Sequence, residues 1–277
     1  MSWLLRPIYG VYAFFRRDAV NTSSYKLNFV FEIISMFMWA LTMGTLGCIT
    51  QSAQAPYMER YGNMNASTFL LVGMMCEFYL HQSQSMPQGI ANPGAIERIL
   101  LTPCGIPTFI FGTMSWGYFW NSINMAVYII IGTSLFGLDL SAINWPAFLA
   151  VLLLGVMAMW SLGIMAAGIQ LVTKRWDPVT WFLMTFSMFI SGVFYSPEVL
   201  LRIDCSGMLY SIAWCLPQTY VYHMARLTFI GRGLSEQSMI KPLVNLLIIV
   251  AILFGLGWLT FKKCLRRCQL EGSLGWV

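Results

Sequence analysis

The sequence predicts an all-α, polytopic membrane protein with six transmembrane helices, and three observations support this fold class. Hydrophobic residues make up 58% of the 277 residues, and charged residues only 10%. The mean hydropathy is +0.67. Soluble domains carry roughly a quarter charged residues, so water is not the only solvent of this chain. Apolar stretches of spanning length recur, and an isolated span satisfies its backbone hydrogen bonds in lipid only as a helix.

An amphipathic helix is predicted at the N-terminus, within residues 1–25, before the first span. Arg6 and Arg17 lie opposite its apolar face, so it suits a helix lying in the cytoplasmic interface. A generic anchor with no mechanistic part remains the alternative. The apolar face consists of Leu4, Ile8, Val11, Tyr12 and Phe15.

Six spans follow in one transmembrane domain that covers residues 1–277. The first two spans lie within 27–86, the next three within 105–196, and the last at 242–261, before a tail at 262–277. The individual spans are 27–49, 66–86, 105–136, 146–173, 178–196 and 242–261.

Lysine and arginine set the orientation. Only five of the sixteen basic residues lie on the outer side if the N-terminus is inside, so both termini are predicted to be cytoplasmic. The net charge of +5 therefore reflects topology, and no nucleic-acid partner is expected. The five outer residues are Arg60, Arg202, Arg226, Arg232 and Lys241.

Residues 197–241 form the predicted extracellular re-entrant region. Gly207–Ile230 is apolar enough to suggest a seventh span, but Pro217 interrupts it and polar residues follow. A seventh span would also move the basic tail outside. We expect one or two short helices that dip into the outer leaflet and return.

A short amphipathic helix is predicted on the cytoplasmic side, within 90–104, between the second and third spans. Ile96, Ile99 and Leu100 form one apolar stripe. Pro93 suits the start of a helix and Pro103 its end. An ordinary cytoplasmic loop remains the alternative.

The second span carries a polar stripe of Glu77, His81 and Gln84, with Gly73 on the same face. An acid within a span is expensive and faces the protein interior by default. The stripe indicates a cavity or gate lining, with Glu77 and His81 as a protonation-sensitive pair. Packing between spans is the alternative.

Aromatic side chains in the first and fifth spans could line a path for an amphipathic substrate, or could face lipid as aromatic residues often do. The candidates for a path or gate are Phe37, Phe186, Phe189 and Phe194. Cys205 and Cys215 both fall in the outer region. They could form a disulfide there or remain two free thiols. No convincing metal site is seen.

Three motifs resemble the permease subunits of ABC-2 type ABC exporters. The cytoplasmic connection has Gly94, Glu97, Thr102 and Pro103 in the register of that family's pattern. A small-residue and aromatic stretch at 191–197 leads to Pro197, as it does at the outer end of the family's fifth span. Pro217 and Arg226 match a further Pro and Arg, whereas the stretch at 200–202 lacks a second Pro that many members have.

The resemblance implies that the cytoplasmic segment is a coupling helix that docks on a separate ATPase. The coupling residues would be Gly94, Ala95, Ile96, Glu97, Arg98 and Leu101. The dipeptide Gly-Lys of a P-loop does not occur, so ATP and Mg²⁺ are expected on the ATPase, with no cofactor in this chain and no enzymatic activity of its own. Two ATPase copies and a second copy of the permease, as a homodimer, are the implied partners.

The function implied by the resemblance is outward export of an amphipathic substrate, such as a drug-like molecule, a lipid or a lipid-linked glycan, across the plasma (inner) membrane. The alternative is an ion-coupled secondary transporter or channel that works without an ATPase. An intramembrane enzyme is disfavoured because the spans hold no nucleophile motif and no aspartate pair.

Overall fold

The computed structural model describes residues 6–85, 106–173, 178–203 and 206–270, and within these ranges the fold is built from helices without any β-strand. Short 3₁₀ helices, Glu59–Tyr61 and Pro197–Val199, extend two of the connections. The prediction of an all-α protein is therefore confirmed. The ten α-helices of these ranges are α1 (Arg6–Ser24), α2 (Lys26–Met58), α3 (Ala66–Gln84), α4 (Ile106–Leu135), α5 (Trp145–Thr173), α6 (Pro178–Ile190), α7 (Leu200–Ile203), α8 (Met208–Cys215), α9 (Pro217–Phe229) and α10 (Gln237–Leu270).

Three segments of the described ranges are long and apolar enough to cross a membrane, by length and composition. They are Lys26–Tyr61, Trp145–Thr173 and Gln237–Cys268. The predicted second, third and fifth spans are helical, as α3, α4 and α6. These helices are not both long and apolar enough to be counted as candidate spans. Helix α3 carries several polar side chains and α6 has 13 residues, fewer than the roughly 20 that a bilayer core needs. The count of six spans remains a prediction.

Helices α3 and α4 run antiparallel, which side-chain hydrogen bonds between them show. The Asn121 side-chain amide donates to the Phe78 carbonyl at 2.9 Å, and the hydroxyls of Ser83 and Tyr118 lie 2.7 Å apart. Residue numbers therefore rise along one helix as they fall along the other. This is the relative direction expected of consecutive spans.

Helices α5 and α10 run parallel in close contact. A Cβ added to Gly257 would lie 2.5 Å from the Ser161 carbonyl oxygen, and one at Gly168 would lie 2.9 Å from the Phe261 Cα. Small residues permit this approach between helices. Gly168 therefore packs against α10 of its own chain.

Helix α1 packs along the first half of α4. The Phe14 ring contacts the Phe109 ring edge-on at 5.5 Å, and the Phe15 ring contacts that of Trp116 at 5.4 Å. Ile8, on the predicted apolar face, is exposed. An apolar side chain exposed in a single chain is compatible with a helix at a membrane interface.

The core lies where α3, α5 and α9 meet, and all thirteen residues of α9 are buried. Helix α8 ends at Cys215 and α9 begins at Pro217, with the intervening Leu216 in an extended conformation. At the first position of a helix the backbone N–H has no partner within the helix. Proline lacks this N–H, so Pro217 favours the start of a new helix here. The prediction of one or two short helices interrupted at Pro217 agrees with α8 and α9 as secondary structure, and their re-entrant placement in the outer leaflet stays a prediction.

Candidate functional site

Helix α9 is unusual because it is buried on every side and yet carries polar side chains. Gln218, Thr219, His223 and Arg226 all lie in its buried surface. A polar group away from water is costly unless it is hydrogen-bonded. The partners of these side chains therefore define the candidate site.

Arg226 is the centre of this site and is 1% exposed. Its guanidinium donates to three carbonyl oxygens, those of Phe69 at 3.3 Å, Gly192 at 2.9 Å and Val193 at 2.7 Å. The guanidinium carbon also lies 3.4 Å from the centre of the Phe69 ring. None of the ion pairs within the described ranges involves Arg226, so carbonyl dipoles and an aromatic face balance its charge. Arg226 thereby joins α9, the start of α3 and the segment after α6.

Two glycines make room for this arrangement. Gly192 adopts a φ of +83°, a left-handed conformation that a glycine takes without strain. A Cβ on Gly73 would lie 2.5 Å from the Val193 carbonyl oxygen and 2.7 Å from an Arg226 nitrogen. The polar stripe of α3 therefore begins with a glycine because the guanidinium and the carbonyl occupy the space beside it.

Glu77 lies one helical turn further along α3 and is 6% exposed. Its carboxylate accepts a hydrogen bond from the Tyr222 hydroxyl. Because Gly73 meets Arg226 while Glu77 meets Tyr222, α3 and α9 run antiparallel in register. Two turns of α9 thus place a cation and a phenol against one face of α3.

Two side-chain amides meet at the end of the same interface where α9 begins and α3 ends. The Gln218 side-chain nitrogen is 3.5 Å from the Gln84 side-chain oxygen and 3.4 Å from the Met159 sulfur. The Gln218 oxygen has no partner among the residues that the structure describes. The contacts of α9 with α3 therefore extend from Phe69 to Gln84.

The other face of α9 contacts the 3₁₀ helix Glu59–Tyr61 that follows α2. The Tyr61 hydroxyl lies 2.9 Å from His223 Nδ1. Next to Tyr61, Arg60 forms an ion pair with Glu198, whose carboxylate also accepts a hydrogen bond from Ser196. The segment around Pro197 is thus held by Arg226 on one side and by Arg60 on the other.

The sequence matches the protein family described as ABC-2 type transporter over residues 9–230. That range runs from α1 to the residue after α9 and includes every contact of Arg226 given above. The chain belongs to the ABC-2 type transporter family. No curated protein matches the chain.

Membership confirms the resemblance and identifies the chain as a permease-type transport subunit of an ABC transporter, an integral membrane component. Members of the ABC-2 family are transport subunits that generally work with an ABC ATPase and generally have no catalytic activity of their own. In this ABC-2 permease, no group of three or more potential metal ligands occurs within the described ranges.

The structure brings some of the predicted site residues together and keeps others apart. Glu77 is buried beside Tyr222, whereas His81 is exposed, and no ion pair joins the two. The predicted Glu77–His81 pair is therefore not formed in this arrangement. Gln84 is buried against Gln218, and Pro197 and Pro217 are buried at the starts of their helices.

The predicted aromatic path lies on the surface of the single chain. Phe37, Phe186 and Phe189 are exposed. Phe194 is partly buried, with its ring 5.9 Å from that of Phe189. These rings are available to lipid, to substrate or to a second copy of the permease.

Two predicted features lie outside the described residues. The coupling segment, with Gly94, Ala95, Ile96, Glu97, Arg98 and Leu101, falls within 86–105, and Cys205 falls within 204–205. Cys215 is exposed at the end of α8. The coupling role and the Cys205–Cys215 disulfide stay predictions.

Sequence reasoning did not identify Phe69, Tyr222 or Tyr61 as site residues. Tyr222 precedes Arg226 by four residues, a spacing that places both on one helix face. That signal was available in the sequence. The role of Phe69 could not be read from the sequence, because its carbonyl and its ring contact Arg226 only when α3 packs against α9.

Proposed function

We propose that this chain is the permease half of an ATP-driven exporter that moves an amphipathic substrate outward across the plasma (inner) membrane. The observation that carries the proposal is the family match over residues 9–230. Two permease copies, as a homodimer, would enclose the path, and two ATPase subunits would hold ATP and Mg²⁺. Drug-like molecules, lipids and lipid-linked glycans are the substrate classes considered.

A six-span arrangement with both termini cytoplasmic belongs to the same proposal. The antiparallel α3 and α4 support it, because the second and third spans should cross the membrane in opposite directions. The parallel α5 and α10 also support it, because the fourth and sixth spans should cross in the same direction. The eleven-to-five distribution of basic residues supports the cytoplasmic placement of the termini.

In this arrangement α9 reaches deeper than the outer leaflet, where the sequence had confined the re-entrant helices. Helix α3 has 19 residues, which is about 28 Å at 1.5 Å per residue. Helix α9 contacts it from Phe69 to Gln84, most of that length. The break before Pro217 would therefore lie past the middle of the bilayer, where Pro217 is buried, Leu216 is partly buried and Cys215 is exposed. Irregular backbone at that depth is tolerated where protein or a water-filled cavity covers it.

The coupling step would run through the segment 94–101. ATP binding would draw the ATPases together and push this segment, which continues into α3 and α4. Binding that favours one of two conformations shifts the population toward it. Since α3 carries the bonds to α9, the re-entrant helices would move with α3.

Reconstitution with the ATPase tests this proposal. The ATPase should co-purify with the permease, and transport in vesicles should need ATP. Glu97→Ala and Arg98→Ala should retain ATP hydrolysis while lowering transport, and Lys26→Ala, outside the coupling segment, serves as the control. Full-rate transport by the permease alone would refute the proposal.

One observation favours the alternative of an ion-coupled transporter, namely the buried carboxylate of Glu77 in a predicted span. A proton gradient should then drive uptake or efflux in vesicles that contain no ATPase, and Glu77→Gln should abolish it. Transport that follows ATP and ignores the gradient excludes this alternative.

A further inference from the structure

A pocket of about 570 Å³ lies between α8, α9, the start of α10 and the 3₁₀ helix Glu59–Tyr61. It is separate from the guanidinium site, since neither Arg226 nor Glu77 lines it. Its volume falls within the roughly 300–1,000 Å³ of small-molecule sites.

Three cations surround this pocket at its exposed edge. The side chains of Arg60 and Arg232 are 54% and 51% exposed, and Lys241 is also exposed. No acidic residue is among the lining residues. Such an edge attracts an anion.

Lys241 is the cation with the most capacity for a ligand. Arg60 already pairs with Glu198, and Arg232 pairs with Glu236 at 2.7 Å. Lys241 takes part in no ion pair within the described ranges. An ammonium with three donors is a common point ligand for a phosphate group.

The deeper wall of the pocket is aromatic. The Trp214 ring lies 5.1 Å from the Tyr220 ring, 5.6 Å from that of His223 and 6.2 Å from that of Tyr210. Tyr220 is 7% exposed and Leu227 is 3% exposed, so the base of the pocket is enclosed and largely apolar. The site therefore offers positive charge at its opening and rings further in.

We propose that this pocket binds an anionic amphiphile, with its phosphate head group at Lys241 and its apolar part against the Trp214 wall. The two ends of the pocket match the two ends of such a molecule. The inference deepens the proposed function by assigning a substrate class to the permease, but it rests on the pocket and does not require ATP-driven export.

Binding of short-chain lipids to the purified permease tests the proposal. The probe is dihexanoyl phosphatidic acid. Dihexanoyl phosphatidylcholine has the same chains without net charge, and glycerol 3-phosphate has the phosphate without the chains. The phosphatidic acid should bind at least about tenfold more tightly than either comparator, because only it uses both ends of the site. Equal binding of the phosphatidylcholine, or of glycerol 3-phosphate, would overturn the proposal.

Three variants locate the binding. Lys241→Met keeps the aliphatic stem and should weaken phosphatidic acid binding about tenfold, as the loss of a charge-assisted hydrogen bond predicts. Lys262→Met, on the same helix and outside the pocket, should leave it unchanged. Glu236→Gln releases Arg232 from its ion pair and should tighten binding by up to about fivefold.

The gain of affinity separates the proposal from a folding defect, which can only weaken binding. Equal losses in Lys241→Met and Lys262→Met would overturn the site assignment. The binding measurement uses the isolated permease, so a failure of the lipid-binding proposal would not bear on the proposal of ATP-driven export. Conversely, a failure of ATPase coupling would not bear on lipid binding.

Discussion

Gly73→Ala is the smallest change that tests whether α9 is bound to α3 through Arg226. The added Cβ would lie 2.5 Å from the Val193 carbonyl oxygen and 2.7 Å from an Arg226 nitrogen, both closer than the 3.0 Å that real Cβ contacts respect. The neighbours are backbone and a guanidinium held by three hydrogen bonds, so neither can turn away freely. Either α3 moves from α9 or the bond to Val193 breaks.

The expected magnitude follows from three contributions. Overpacking in a filled interior costs about 1–3 kcal/mol. Weakening one hydrogen bond to a charged group costs about 1.5–3 kcal/mol. Replacing a helical glycine with alanine recovers up to about 1 kcal/mol. The net destabilisation is roughly 1.5–6 kcal/mol, which corresponds to an unfolding midpoint lowered by about 3–24 °C.

Gly255→Ala is the matched control. Gly255 lies inside α10, and a Cβ there would meet nothing within 4 Å. Helix propensity alone then applies, so the midpoint should stay or rise slightly. Thermal unfolding of both variants in one detergent gives the comparison. If Gly73→Ala behaves like Gly255→Ala, the packing of Arg226 against α3 is wrong.

Arg226→Lys should lower the unfolding midpoint and increase proteolysis of 191–197, since one ammonium lacks the planar fork that serves several carbonyls; an unaltered cleavage pattern would contradict this. Tyr222→Phe should destabilise by about 1–3 kcal/mol by leaving a buried carboxylate without its donor, whereas Glu77→Gln still accepts the bond and should change the midpoint little; the reverse order would contradict the pairing. The pKa of Glu236 lies below its ordinary value because the Arg232 side chain donates to its carboxylate. This contribution is present above the unfolded pKa and lost as pH falls through the folded pKa, so midpoints of wild type and Glu236→Gln should differ near pH 7 and converge near pH 3, and a persistent gap would count against it.

The apolar spans were the most predictable part of the fold. The predicted span 146–173 corresponds to α5 (Trp145–Thr173). A continuous apolar segment in lipid satisfies its backbone hydrogen bonds by forming a helix. The predicted span 27–49 lies within α2, and the helix continues past it to Met58. The Gln51 side-chain oxygen accepts a hydrogen bond from the Ala66 N–H at 2.7 Å, so a polar stretch that looks like a loop end stays helical through a tertiary partner.

The candidate site was predictable only in its residue types. Glu77 was found because it is an acid within a predicted span, whereas Pro217 and Arg226 were found through the resemblance to the Pro and Arg pattern of the ABC-2 family. Their partners were not found, because Arg226 bonds to backbone carbonyls of residues that sit more than 30 positions away. Every residue type has a backbone carbonyl, so the sequence does not show which carbonyls accept hydrogen bonds from Arg226. The same reasoning explains why His81 was paired with Glu77 by helical spacing, although Tyr222 is the actual partner.

The bonding of Arg226 also limits how this permease can change shape. A buried guanidinium that loses its carbonyl partners is left uncompensated away from water, which is strongly unfavourable. Helix α3, helix α9 and the 191–197 segment should therefore stay together throughout a transport cycle. Sliding is easier where no such bonds exist, as on the exposed aromatic faces of α2 and α6 around Phe37 and Phe186. We therefore expect that a substrate path, if it follows the predicted aromatic side chains, opens at these exposed faces and not between α3 and α9.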